Sequence, residues 1–596
     1  MLLNSFIEFI NNKAFINING TSYAPLAYTT YFDECGKWDE FINHGYKMFF
    51  VNVSFTELPI NNTTGFSPFL YGVFETETPD YSQFDSLIDD ILYKCPDALI
   101  FPRINISMPR NWIELHINDT ISTPKGGNRE SLYSDNFRKD GAKLLFELVS
   151  HIRASEYSHR IAGYQICGGT TQEWMHHDLF GSYSELAHTE FKEWCFEKYA
   201  IEEICIPDRI QLENGEINDD IKLFLEFANF KVAETVEYFA KKLKEYISNE
   251  QVVGAFYGYS AFVNEPLYGL HGLRYLIDSQ YIDFFSSPCC YDNCRSLGVD
   301  WGDMLPVDSL KLHNKLYFVE CDIRTNLTKG MQKSRPGVYP EDIYLTIDSN
   351  GNKTVWSGPD TKELSLSAIR KAFIHQLSHG SGIWWFDMWG GWYSDTDFML
   401  ELKKIHQIVD ESQTKAVDKY PAAEVVLFID EKAYININRG NHLRDSVNQI
   451  RVAMGNTGIP FDMYLVEDAD RVISRYSAAI FTTPTPSESG LSAINQCKKL
   501  DIPYIIPTFE KSSFSTDELR EFLVSKNIHC YNSDGNVIYC SNGFLGIHTI
   551  NDGEIEIVLP KDFNIELKFG IDCFRKVNNI LKFNTFKNNT ILFEFI

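Results

Sequence analysis

Several features that would assign a protein quickly are missing from this sequence. It contains no run of about 18 apolar residues, which excludes a membrane-spanning helix. Positive charge is scarce: 54 Lys and Arg against 81 Asp and Glu leave a formal net charge of −27. Nucleic-acid backbones and anionic bilayers are therefore repelled, and neutral partners are favoured. The 13 cysteines are odd in number and include no Cys-x-x-Cys pair, which argues against a disulfide framework and for reduced, mostly buried thiols. Cys289, Cys290 and Cys294 cluster without zinc-ribbon spacing, so no metal is expected there. Gly-x-Gly-x-x-Gly, Gly-x-x-x-x-Gly-Lys, His-Glu-x-x-His and Gly-x-Ser-x-Gly are all absent. Nucleotide-binding, metalloprotease and α/β-hydrolase readings thus lack their signatures, and no cofactor is expected. The first residues carry no basic segment, and Glu8 interrupts their apolar stretch; with the reduced thiols this gives the expectation of a cytoplasmic protein.

What is present is the makeup of a chain with large cores. Of 596 residues, 44% are hydrophobic, 14% aromatic and 23% charged. Up to about residue 415, short apolar runs alternate with longer amphipathic ones, which predicts parallel strands joined by helices. The runs are Tyr23 to Tyr31, Tyr46 to Val53, Ala98 to Ile106, Ile161 to Cys167, Val252 to Tyr259, Tyr281 to Ser287, Lys315 to Cys321 and Gly382 to Met388. Eight β/α units predict a closed (β/α)8 barrel over 1–415, with enlarged loops. A hairpin around Asn19-Gly20 is expected to plug its N-terminal end. Strand and helix patterns restart at Val425 and predict a small flavodoxin-like α/β domain over 416–527. Alternating apolar residues over 528–596 predict a small antiparallel β domain.

Barrel chemistry sits at the C-terminal ends of the strands. Two glutamates fall there: Glu173, shortly after the fourth run, and Glu320, at the end of the seventh. A carboxylate following Val319 is costly to desolvate without partners, which marks Glu320 as more than a surface residue. Two carboxyls roughly 5 to 5.5 Å apart cleave a glycosidic bond with retention, one attacking the anomeric carbon and the other protonating the leaving oxygen. Glu320 is expected to be the nucleophile and Glu173 the acid/base. Candidate substrate contacts are Arg103, Gln172, Tyr257 and Tyr291, with Tyr259 also near the end of the fifth run. Strand alternation adds Trp385 and, at the same parity, Asp387. Asn264-Glu265 is a competing site for the acid/base, but it follows the fifth strand by several residues and is out of register. His176, His177 and Asp178 suggest metal ligands, but adjacent histidines on a loop are expected to be polar and solvated or to bind substrate.

Glutamates at the ends of strands four and seven, together with the Trp-rich eighth strand Gly382-Ile383-Trp384-Trp385-Phe386-Asp387-Met388-Trp389, resemble clan A retaining glycoside hydrolases. The added α/β and β domains resemble the three-part layout of the family 42 β-galactosidases. The resemblance implies a homotrimer assembled through the middle domain. It also implies a β-galactoside substrate, with a β-mannoside or another β-linked sugar as the alternative. The chain departs from the clan at Gln172, where the clan has Asn before the acid/base. A barrel that binds carbohydrate without cutting it is the rival expectation.

Overall fold

The computed structural model describes residues 2–61, 64–125, 127–178, 181, 183–205, 207–214, 217–260, 265–291, 295–341, 343–413, 419–438 and 442–596. Asn264 and Cys294 lie outside these. Strands β1 (Ser5–Ile10), β2 (Lys13–Ile18) and β3 (Thr21–Tyr23) form an antiparallel sheet that turns at Asn19-Gly20, both at positive φ. Then come β4 (Leu26–Thr29), β5 (Met48–Ser54), β6 (Leu99–Asn105), a short ribbon of β7 (Thr120–Ser122) and β8 (Asn128–Glu130), and β9 (Gly163–Cys167). β10 (Val252–Phe256), β11 (Phe284–Pro288), β12 (Leu316–Cys321) and β13 (Gly382–Phe386) complete the series. β4, β5, β6 and β9 to β13 pair in parallel, and β13 returns to β4, so the barrel closes with eight strands.

The barrel is filled from below. Ile16 and Ile18 of the N-terminal sheet pack with Met48, Leu99, Val252 and Leu316 at its floor. Ser5 ties the plug to the barrel: its hydroxyl accepts from Val252 N at 2.9 Å and donates to Ala162 O. The next layer is aromatic. Phe50 stacks on Phe101 at 4.8 Å and meets Trp384 and Phe318 at 4.7 and 5.5 Å. Each such ring contributes about 1.5–3 kcal/mol by leaving water. Above this layer the inward residues turn polar: Asn52, Arg103, Gln165, Ser286 and Glu320.

A second unit follows, with β14 (Val425–Ile429), β15 (Phe461–Leu465), β16 (Ala478–Phe481) and β17 (Tyr504–Ile505) in the parallel order β15-β14-β16-β17. The tail is a pair of antiparallel sheets. β18 (Val537–Ser541), β19 (Phe544–His548), β21 (Ile565–Phe569) and β24 (Thr590–Phe595) make one; β20 (Gly553–Val558), β22 (Arg575–Val577) and β23 (Ile580–Thr585) make the other. β22 escapes the sequence pattern because it is three residues long and Lys576, paired with Leu581, puts a polar residue on its inner face; β23 offers only Leu581 and Phe583 as fully buried apolar positions.

Helix Lys362–His379, which precedes β13, touches both added units. Ser367 shares its hydroxyl with Thr590 at 2.8 Å. At its other end His379 meets Asp308 at 3.1 Å, and Asp308 also accepts from Met463 N of β15 at 2.9 Å. Burial works against charge on both groups, but the opposite charge of the neighbour prevails: the Asp308 carboxyl is held below its ordinary range and the His379 imidazole above its own. The pair therefore contributes fully above an ordinary aspartate's titration and below an ordinary imidazole's. Its contribution fades as alkali strips His379 through its raised pKa, or as acid reaches Asp308. Asp308→Asn leaves one side of a buried pair uncompensated and is expected to destabilise the protein by about 3–5 kcal/mol, read from urea unfolding near pH 6.

Candidate active site

In the parallel register Glu320 lies beside Pro288 on one side and Trp384 on the other. Residues paired across a sheet share a face, so Glu320 points inward with Phe318 and Trp384. It is buried, and Arg103 of β6 approaches it with Nη2 at 3.9 Å from Oε2. Arg103 is buried too, its guanidinium lying 4.6 Å from the centre of Phe256 and 5.2 Å from that of Trp384. Asn52 of β5 orients it by accepting from Nη1 at 3.4 Å. Among the described residues, Nε and Nη2 of Arg103 meet no N or O hydrogen-bond partner, and neither does Oε2 of Glu320.

Glu173 arrives on a tight loop after β9. Thr171, Gln172 and Trp174 have φ of 58°, 73° and 61°, a left-handed path that costs non-glycine residues of order 1–3 kcal/mol each. Backbone bonds hold the path: Gly168 N donates to Gln172 O at 3.1 Å, Trp174 N to Gly168 O at 2.6 Å and Thr171 N to Ile60 O at 2.8 Å. Tyr259 donates its hydroxyl to Oε1 of Glu173, and Thr171 donates to Oε2. Burial pushes the Glu173 carboxyl up to about 7, against the lowering effect of these two donors and of Arg103. Burial also raises Glu320 well above the carboxylate range; Arg103 opposes this, while the charges of Asp322 and Glu173 add to it. The charges of both glutamates reach Tyr31, Tyr259, Tyr291 and Arg103, so the groups form one electrostatic cluster.

Gln172 is fully buried, and neither atom of its side-chain amide meets a partner among the described residues. Tyr291 lies just past β11 with the Arg295 guanidinium 3.9 Å from its ring centre. A cavity of about 710 Å3 opens beside Tyr31 and Asn52, lined further by Asp33, Phe69, Tyr71 and Arg335.

Three candidate substrate contacts are corrected. Tyr257 turns away from the cluster and spends its hydroxyl on Gly269 O and Gly272 N, at 3.1 and 3.0 Å. Gly258, at φ 133°, breaks the alternation and swings Tyr259 inward instead; a Cβ there would lie 2.1 Å from Leu305 Cδ2. Trp385 faces the surrounding helices, donating from Nε1 to Tyr46 Oη at 2.8 Å. Asp387, at the same parity, folds into the following turn and accepts from Gly391 N and Trp392 N, each at 2.8 Å. Alternation gives two faces but not their phase, which the pairing of Trp384 with Glu320 sets. His176 and His177 are buried rather than solvated; burial pushes His176 down to about 3. Glu265 caps a short 3-10 turn by accepting from Leu267 N at 3.3 Å. Asn52, Tyr31 and Asp322 were not singled out from sequence, although Asp322 stands two residues past Glu320.

Among the described residues, Asp308, His379 and Asp462 bring their donor atoms within 4.8 Å of one another. The Lys311 ammonium is 3.1 Å from Asp308, so that trio is already charge-compensated without an ion.

Removing the Tyr259 hydroxyl takes away a donor that favours the ionised form of Glu173. A hydrogen bond to a charged group is worth about 1.5–3 kcal/mol. Tyr259→Phe is therefore expected to move the Glu173 titration upward from about 7 by about one pH unit or more, read by carbon-13 NMR of labelled glutamate.

No family model and no curated protein matches the sequence. Solved structures do. A β-galactosidase from the psychrophilic Marinomonas ef1 aligns at a TM-score of 0.62 and 11% identity, covering 96% of this chain and 100% of that one. A β-galactosidase from Bacillus circulans sp. alkalophilus aligns at 0.62 and 10%, covering 96% and 99%. An exo-carrageenase of family GH42 from Bacteroides ovatus aligns at 0.59 and 12%, covering 100% of this chain and 86% of that one. The chain thus has, over nearly its whole length, the three-part fold of the family 42 β-galactosidases.

Proposed function

We propose that this protein is a retaining, exo-acting β-glycosidase in which Glu320 attacks the anomeric carbon and Glu173 serves as acid and then base. The observation that carries the reading is the pair of buried glutamates after β9 and on β12, set around one arginine at the polar end of a closed barrel. Arg103 supplies the counter-charge that an ionised Glu320 requires. Glu173, with its carboxyl near 7, keeps a proton to give at neutral pH and can recover it from water in the second half-reaction. Unpaired donors on Arg103 and Gln172 are available to sugar hydroxyls, and the adjoining cavity has room for a leaving group.

A terminal β-galactoside is the first choice of substrate, in line with the names of the neighbouring structures, and a β-mannoside the second. Assembly as a homotrimer in the cytoplasm belongs to the same reading; a particle of a single 68.7 kDa protomer in light scattering would count against the trimer. Gln172 favours one competing reading, a barrel that binds sugars without cleaving them, because it stands where the clan has Asn.

With an aryl β-galactoside, Glu320→Gln is expected to abolish turnover with little change in thermal midpoint. Glu173→Ala is expected to lose about 10²–10⁴-fold in kcat/KM, to recover partly with azide on an activated leaving group, and to yield the β-glycosyl azide. Turnover of the unaltered enzyme is expected to fall as pH rises through about 7, where Glu173 loses the proton it must donate, and Glu173→Ala is expected to lack that limb. Full activity in Glu320→Gln would remove that residue from the mechanism.

A further inference from the structure

Two arginines flank Asp322, two residues past Glu320: Asp322 and Arg324 are buried, and Arg295 is half-buried. Arg295 is fully used: Nη1 pairs with Asp322, Nε donates to Cys290 O at 3.2 Å and Nη2 to Cys289 O at 3.0 Å. Arg324 is not. Its Nη1 donates to Asp322 O and Oδ2 at 2.8 and 2.9 Å, whereas Nε and Nη2 meet no hydrogen-bond partner among the described residues. Only 4% of Arg324 is exposed, so bulk solvent does not reach those donors. Asp322 neutralises one of the two cations and leaves the other over. A buried, half-bonded guanidinium is expensive unless something completes it.

The surroundings are those of a binding subsite. The Arg324 guanidinium carbon lies over two rings, 4.4 Å from the centre of Trp356 and 5.4 Å from that of Trp392. Trp356 packs on Tyr344 at 4.3 Å, and the charge of Glu173 reaches Tyr344. Arg324, bonded to Asp322 two residues past Glu320, thus belongs to the same cluster of charges as the proposed acid/base. Two aromatic rings and the bonds to Asp322 confine the fork, and a planar fork with two free N–H groups matches the oxygens of a carboxylate or sulfate ester.

We propose that Arg324 receives an anionic substituent, a sulfate ester or a uronate carboxylate, on the sugar at or next to the scissile bond. The inference rests on the glycosidase reading for the location of the site and narrows its substrate class from neutral to acidic β-glycosides. The overall charge of −27 repels such a ligand at long range, so selection depends on this local surplus of positive charge.

The test is calorimetric titration of Glu320→Gln with a neutral galactose disaccharide, its sulfate ester and its galacturonyl counterpart. The expected result is binding of at least one acidic sugar about tenfold or more tighter than the neutral one at low salt, the advantage shrinking as salt rises. The two acidic ligands distinguish sulfate from carboxylate. Arg324→Gln, introduced into the same protein, is expected to bring the ratio of acidic to neutral affinity to about one, and Arg324→Lys to keep part of it. Neutral sugar bound as well as both acidic ones overturns the proposal, as does a folded Arg324→Gln protein that keeps the ratio. If that variant does not fold, the ligand comparison and its salt dependence still decide. Hydrolysis of aryl β-galactosides, neutral, sulfated and uronic, by the unaltered enzyme tests the glycosidase reading separately, and silence on all three counts against that reading rather than against the role of Arg324.

Discussion

A negative charge inside a closed barrel survives only with a counter-charge placed before it arrives, and Arg103 is that counter-charge. Its place is set by the architecture: β6 points it inward in register with Asn52 and Gln165, and the ring layer beneath holds it against Phe256 and Trp384. The dry setting that makes Glu320 costly to ionise also strengthens each charge interaction above that layer. Hence the mouth of the barrel carries its polar residues as one coupled set rather than as independent side chains. The N-terminal plug takes part in this at a distance, since it seals the floor on which the aromatic layer rests.

Much of this was legible in the sequence. The eight apolar runs marked the barrel strands, and the positions of Glu173 and Glu320 relative to those runs put both carboxyls at the mouth. Phase and turns were less legible. Trp384 and Trp385 are equivalent to an alternation argument, and only the neighbouring strand decides which faces in. Tyr257 and Tyr259 likewise share a parity, and Gly258 between them reverses it through a backbone angle that no periodicity reports. Asp387 was misplaced because a turn captured its carboxylate. The histidines after β9 read as polar by residue type, yet Glu130, itself buried, stands 3.4 Å from His177 and gives it a partner inside the protein.

Net charge proved a poor guide at short range. A chain with 27 excess negative charges still gathers Arg103, Arg295 and Arg324 around its candidate site. Screening limits the reach of the global field to about 10 Å, whereas a buried guanidinium acts on whatever touches it. A shared fold carries no such detail: at 10–12% identity the related structures fix the frame, and the chemistry has to be argued from the side chains.

Helix Lys362–His379 has a consequence for how the molecule comes into being. It lies just before the last barrel strand, yet Ser367 on its surface finds Thr590 only 223 positions further along the chain. On the ribosome all eight strands emerge while the sheets that cover this helix are still untranslated. The newborn barrel must wait with an uncovered flank, a stretch of synthesis during which chaperone attention is most needed.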